Sequence, residues 1–164
     1  MGEMAAYWSQ LEQEYKLPVG FLATTASMES SLGEKMSTGL SSAKGLFQFT
    51  DGTAEEYGVD VYDWKSSSLG AAKYAANNKK RLEKALNKTE ISGPELYLAH
   101  QQGAGGASKL LRRPTAMAVD LVGATAVSNN LPKGKQSSTF TAQNFSDLYV
   151  SKYNSNRKPV SYTH

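Results

Sequence analysis

Apolar residues recur at spacings of three and four along most of this chain, and clusters of glycine and serine break the pattern into short segments. That spacing admits a stack of amphipathic helices, whereas a sheet needs alternation of period two, which is sparse here. Ala5 to Tyr15 puts Ala5, Trp8, Leu11 and Tyr15 on one stripe. Pro18 stands where a helix can start, so Val19 to Leu32 reads as a second helix closed by Gly33. A Gly/Ser-rich stretch follows to Lys44, then the apolar run Gly45-Leu46-Phe47-Gln48-Phe49 and a short helix around Thr53–Tyr57. Ser66 to Leu86 is the longest helical segment, with Leu69, Ala72, Ala76, Leu82 and Leu86 on its expected buried stripe. Ser92 and Glu95 have capping-box spacing with Pro94 in the first turn, which predicts a helix to Gln102. Gly103, Gly105 and Gly106 should interrupt it before another helix over Ala107–Arg112. Ala116 to Val127 is expected to be buried, Asn129–Thr139 to form a loop, and Ala142 to Tyr153 to close the fold. The expected class is a mainly α, compact helical domain with at most a small irregular β-hairpin between Met36 and Phe49. One domain should span 1–164, with its core over about 5–153 and a loose tail over 154–164.

Composition removes several functions. A chain of 164 residues suits a single domain. It has no cysteine, so it can have no disulfide framework, thiolate metal site or thiol nucleophile. Two histidines give little basis for a His-rich metal site, and no metal or cofactor is expected. No apolar stretch approaches the ~20 residues that span a bilayer. Met1-Gly2-Glu3-Met4 lacks the basic and apolar regions of a secretory signal. A net charge of +3 is too small to argue for nucleic acid, and the Lys79-Lys80-Arg81 run, with Glu83 close behind, reads as a solvated helix face.

The second helix carries the most informative carboxylate. With Leu22 at zero and ~100° per residue, Val19, Phe21, Ala23, Ala26, Met28 and Leu32 fill one apolar arc. Thr24, Ser27 and Ser31 fall opposite, and Glu29 falls at about −20°, in the middle of the arc. Glutamate is seldom buried unpaired. Desolvation disfavours the charged form, so such a carboxyl keeps its proton above the ~4.3 of a free glutamate. A protonated carboxyl in a cleft is what general-acid cleavage of a glycosidic bond requires. Position alone leaves a second reading open, a glutamate at a helix end paired with Lys35 or Lys44.

Three segments occur in order over some 75 residues: Glu29-Ser30-Ser31; Gly45-Leu46-Phe47-Gln48-Phe49 followed by Thr53-Ala54; and Tyr97-Leu98-Ala99-His100-Gln101-Gln102-Gly103. Together they resemble the soluble lytic transglycosylase family, goose-type-lysozyme-like enzymes that cut peptidoglycan, and most closely the domains of bacteriophage endolysins and virion-associated lysins. The resemblance covers roughly Phe21 to Ala107 and implies a lysozyme-like fold. It puts Glu29 at the position of the catalytic acid/base, with Ser30 and Ser31 completing the Glu-Ser motif. It also implies that Gln48 lines the cleft, and that Phe47, where the family usually has Met or Tyr, forms an apolar wall. His100 and Gln101 stand where the family has Tyr and Asn in Ala-Tyr-Asn, the largest departure; Asp51 stands near a common Pro. The residue-level alternative for His100 is a packed helix-end histidine, and the nearby glycines fit a tight turn.

A two-carboxylate hydrolase would need a partner about 5–5.5 Å or about 6.5–9.5 Å from Glu29. Glu34, Asp51, Glu55, Glu56, Asp60 and Asp63 are the candidates, and none has a pairing signature. The resemblance offers a one-carboxylate route that ends in a 1,6-anhydromuramyl group. Tyr57 and Tyr97 are the aromatics expected nearest the cleft, ahead of Tyr62, Trp64 and Tyr74. Lys44, Lys73, Arg112 and Arg113 could face acidic stem peptides, and solvation also explains them. The expected partner is the peptidoglycan glycan strand, with no nucleic acid, and the protein is expected to be a monomer. Made in a host cytoplasm without a signal peptide, it is expected to act in the periplasm or cell wall during phage lysis or virion entry. The rival readings are a hydrolytic lysozyme of the same fold, a non-catalytic wall-binding or virion structural domain, and a nucleic-acid-binding helical domain.

Overall fold

The structure, a computed structural model, describes residues 2–30 and 44–157. Among the described residues the chain forms eight α-helices: α1 (Gly2–Glu14), α2 (Phe21–Ser30), α3 (Asp51–Glu56), α4 (Trp64–Leu86), α5 (Gly93–Arg112), α6 (Ala118–Val122), α7 (Ala124–Asn130) and α8 (Ala142–Ser155). A 3-10 turn occupies Ser137–Thr139. The β content among the described residues is two isolated bridges, Lys44 with Phe49 and Met117 with Thr141. The mainly α expectation therefore holds. Of the expected hairpin, residues 44–49 lie within the described residues, closed by the Lys44–Phe49 pair, and residues 158–164 of the tail lie outside them.

Two compact units partition the chain, with the divisions falling between Ala76 and Asn77 inside α4 and between Ser155 and Asn156. In the first unit, α1 packs against α2; Trp8 and Leu11 of α1 and Phe21, Leu22 and Ala26 of α2 are buried. The indole Nε1–H of Trp8 donates to Ser68 Oγ at 2.7 Å, and Ser68 donates in turn to the Trp64 carbonyl at 2.7 Å. In the second unit, α5 packs against α8 and α6; Leu96, Leu98, Ala107 and Leu110 of α5 and Phe145 and Tyr149 of α8 are buried, and Tyr97 of α5 meets Tyr149 of α8.

Local chemistry sets several helix starts. Thr50 caps α3 by accepting the Thr53 N–H, and Asp63 Oδ1 accepts the Lys65 N–H at 3.0 Å where α4 begins. The capping box of α5 is present as its spacing predicts: Ser92 Oγ accepts the Glu95 N–H at 3.2 Å, and Glu95 Oε1 accepts the Ser92 N–H at 2.8 Å.

Several expectations need correction. α2 begins at Phe21, leaving Val19 67% exposed ahead of it. Thr24, expected on the solvent side, is fully buried along with Thr25. The helix is enclosed on more than one side, so a single apolar arc does not describe it. Of the three glycines expected to break α5, only Gly103 is non-helical (φ 74, ψ 161), and the helix resumes through Gly105 and Gly106. The Ala116–Val127 stretch is cut into α6 and α7 by Gly123 (φ 90, ψ 165). Along α4, Ala72 and Leu82 are buried as expected, whereas Leu69, Ala76 and Leu86 are half-exposed.

Candidate active site

In the first unit, exposure along α2 rises towards its C-terminal turn. Leu22 and Thr24 to Ala26 are buried; Ser27, Met28 and Glu29 are half-exposed. Glu29, expected in the middle of a buried arc, is not enclosed: it is half-exposed on the last turn of α2, where a carboxyl can meet a substrate while most of its helix stays inside the unit. Ser30, the next residue, is fully buried. Its Oγ–H is shared between the Leu46 carbonyl at 2.7 Å and, one turn back, the Ala26 carbonyl at 3.1 Å. The serine of the Glu-Ser pair therefore ties the end of α2 to the Gly45–Gln48 turn, and its hydroxyl is not presented at a surface. Ser31 and Glu34 lie outside the described residues.

The turn is built tightly. Lys44 and Phe49 exchange both backbone hydrogen bonds, at 2.9 and 3.0 Å, and close a loop of four residues. Gly45 has φ +80, and a Cβ there would collide with the Val61 carbonyl, so only glycine fits at the head of this motif. Gln48 also has positive φ, at 50°, which is uncommon for a side-chain-bearing residue. Its Nε2–H donates to the Gly45 carbonyl at 2.7 Å, so the side chain braces the turn that carries it. Strained backbone of this kind collects at functional positions, where the surroundings over-determine it.

Phe47 is fully buried, its ring meeting Trp8 edge-on at 6.0 Å and Phe49 at 6.4 Å. It acts as an apolar wall from inside the core. From Phe49 a ladder of rings continues to Tyr74 at 6.4 Å and on to the half-exposed Tyr57 at 5.6 Å. Tyr62 is 67% exposed and Trp64 packs edge-on against Tyr7. Asp51, Glu55, Glu56, Asp60 and Asp63 are exposed. Three of these carboxylates have identified partners: Lys44 lies 3.9 Å from Asp51, Asp60 accepts the Tyr62 N–H, and Asp63 caps α4.

In the second unit, Tyr97 is 6% exposed, packed on Tyr149 at 5.6 Å and on Tyr153 at 6.4 Å. Little of its ring is left open, so the aromatic expected near the cleft is largely covered by protein. The half-exposed His100 imidazole lies parallel to Tyr97, at 6.2 Å and 10° between planes, and Gln101 is exposed. Gln102, which the sequence left unassigned, donates to Tyr149 Oη at 3.4 Å, and that hydroxyl donates to Asn130 Oδ1 at 3.0 Å. This chain of bonds holds α5 immediately before the Gly103 kink. Among the described residues no group of three or more His, Asp or Glu side chains could hold a metal ion, and no helix is long and apolar enough to cross a membrane.

Sequence reasoning passed over one buried carboxylate. Glu12 is 3% exposed, more enclosed than Glu29, and lies one turn beyond Trp8 on the buried face of α1. The wheel argument that singled out Glu29 would have found it too, had it been applied to α1.

No curated protein sequence matches the chain. The family model of the transglycosylase SLT domain matches residues 6–118, more than half of the chain, and takes in all three motifs. With its helices, its braced Gln48 turn and the Glu29-Ser30 pair inside that match, the chain belongs to the soluble lytic transglycosylase family, lysozyme-like in fold and directed at peptidoglycan.

Proposed function

We infer that the protein cleaves the β-1,4 bond between N-acetylmuramic acid and N-acetylglucosamine, with Glu29 as the one catalytic acid and base. The Glu29 carboxyl gives its proton to the bridging oxygen, and the bond from that oxygen to C1 of the muramyl sugar breaks. The carboxylate then takes the proton of the same sugar's C6 hydroxyl, and the C6 oxygen closes onto C1. A 1,6-anhydromuramyl end results, no water is consumed, and Glu29 is again protonated. Assistance from the 2-acetamido oxygen would remove the need for a protein nucleophile.

The observation that carries this reading is the bond from Ser30 Oγ to the Leu46 carbonyl, which fastens the helix bearing Glu29 to the turn bearing Gln48. A general acid has to be held in place relative to the groups that orient its substrate. The exposed, capping or ion-paired state of the described candidate partners supports a one-carboxylate route over a conventional hydrolase. Gln48, His100, Gln101 and Ser31 would hydrogen-bond the glycan, and Phe47 and Ser30 would act by holding the framework. His100 followed by a glycine-rich segment favours a phage endolysin or virion-associated lysin, delivered to the wall and acting as a monomeric, single catalytic domain without cofactor.

Mass spectrometry of digested sacculi tests this. The reading expects muropeptides lighter by one water than reducing-end products, with none formed by Glu29→Gln. Reducing ends would mean hydrolysis, and binding to sacculi without any product would mean a wall-binding domain.

A further inference from the structure

The carboxylate of Glu12 is buried in α1 at 3% exposure, and both of its oxygens are engaged at the start of another helix. Oε1 accepts the Gly20 N–H at 3.0 Å and Oε2 accepts the Leu22 N–H at 2.9 Å. Those are N–H groups of the entry to α2, which have no acceptor within the helix itself. A negative group there also meets the positive end of the helix dipole. Burying a carboxylate is expensive unless hydrogen bonds compensate for the lost water. A serine or aspartate at α2's own start would cap it at less cost. A carboxylate reaching in from α1 does something that a local cap cannot: it fixes α2 to its neighbour.

We propose that Glu12 is a positioning residue for Glu29: its two oxygens set the axial position and rotation of α2, and so the place of the catalytic carboxyl. The proposal rests on the reading of Glu29 as the acid. Two separate bonds to residues two apart constrain a helix end against both sliding and turning. Glu29 lies eight residues beyond Phe21, about 12 Å along the axis, and an intact helix passes a displacement of its start to its end. The same face of α1 carries Trp8, whose edge-on contact with Phe47 reaches the residue next to Gln48. One helix that holds none of the three motifs thereby touches the elements that carry two of them. Ser30 secures the far end of α2, so the catalytic helix is bolted at both termini.

The test is a kcat against KM comparison on soluble glycan strands, well below the unfolding temperature, with the folded fraction checked by circular dichroism. Glu12→Gln keeps the size but turns one acceptor into an NH2 group that faces an N–H. Ile91→Ala, a truncation of a buried side chain in the other unit, is the control for lost stability. A misplacement of about 1 Å can cost about 100-fold in rate. The expected result is a kcat lowered by about ten-fold or more in Glu12→Gln, with KM within about two-fold and Ile91→Ala at wild-type kcat. Folded Glu12→Gln with wild-type kcat overturns the proposal, as does an equal loss in Ile91→Ala. If Glu12→Gln does not fold, Glu12→Asp carries the same test, since it keeps the charge and falls one methylene short of both donors. Turnover that survives Glu29→Gln would sink the reading beneath the proposal; a dead Glu29→Gln beside an unslowed Glu12→Gln would sink the proposal alone.

Discussion

Replacing Ser30 with alanine removes one hydroxyl from a fully buried position and leaves the Leu46 carbonyl, on a residue 3% exposed, without that donor. Stranding a buried acceptor costs about 1–3 kcal/mol. The alanine returns roughly 0.5 kcal/mol through its better helix propensity. The difference, about 0.5–2.5 kcal/mol, lowers Tm by about 1–10 °C at ~2–4 °C per kcal/mol for a chain of this size. Ser27→Ala, three residues back and half-exposed, is the matched control and should stay within about 0.5 kcal/mol of wild type. Calorimetry gives both numbers. Turnover should fall with Ser30→Ala as well, because the link between the Glu29 helix and the Gln48 turn is cut. An unchanged Tm together with unchanged turnover would show that the bond joins nothing of consequence.

Gly103→Ala forces a side chain into φ 74, ψ 161, a region open essentially to glycine, and should cost about 1–3 kcal/mol. Urea unfolding checks this, and a midpoint equal to wild type would mean that the kink can straighten. Ser92→Ala removes half of the α5 capping box and should cost about 1 kcal/mol by the same measurement, with no change in kcat. A neutral result would leave the Glu95 side chain as the sufficient cap.

Local patterns made the helices legible because each rests on residues close in sequence. The box at Ser92 and Glu95, the start of α8 at Ala142 and the mainly α class needed no knowledge of the fold. The errors on α2 have one physical source. A helical wheel assumes one wet face and one dry face; α2 has protein around most of its length, so Thr24 is buried on the side the wheel makes wet, and Val19, ahead of the helix, is exposed. Left-handed residues without glycine were also invisible: Lys16 (φ 55) and Asn87 (φ 53) lie just beyond α1 and α4, and Gln48 (φ 50) shapes the motif turn. The site was legible as motifs and not as a mechanism of support. Nothing in the string announces that Ser30 would bond to a carbonyl sixteen residues on, or that Trp8 would find Ser68 sixty residues away. Glu12 is the exception, since the rule that exposed Glu29 applied equally to it. Such a rule picks out carboxylates on an apolar stripe, without separating the half-exposed Glu29 from the buried Glu12 that holds a helix.

The turnover of Glu29→Gln on purified sacculi bears most directly on whether one carboxyl performs both proton transfers. Glutamine is nearly the same size and cannot give up or accept the proton. The account predicts an unchanged unfolding temperature and a rate lower by about 100-fold to 10,000-fold, with no anhydro ends above background. A folded Glu29→Gln that released anhydromuropeptides at close to the wild-type rate would contradict it.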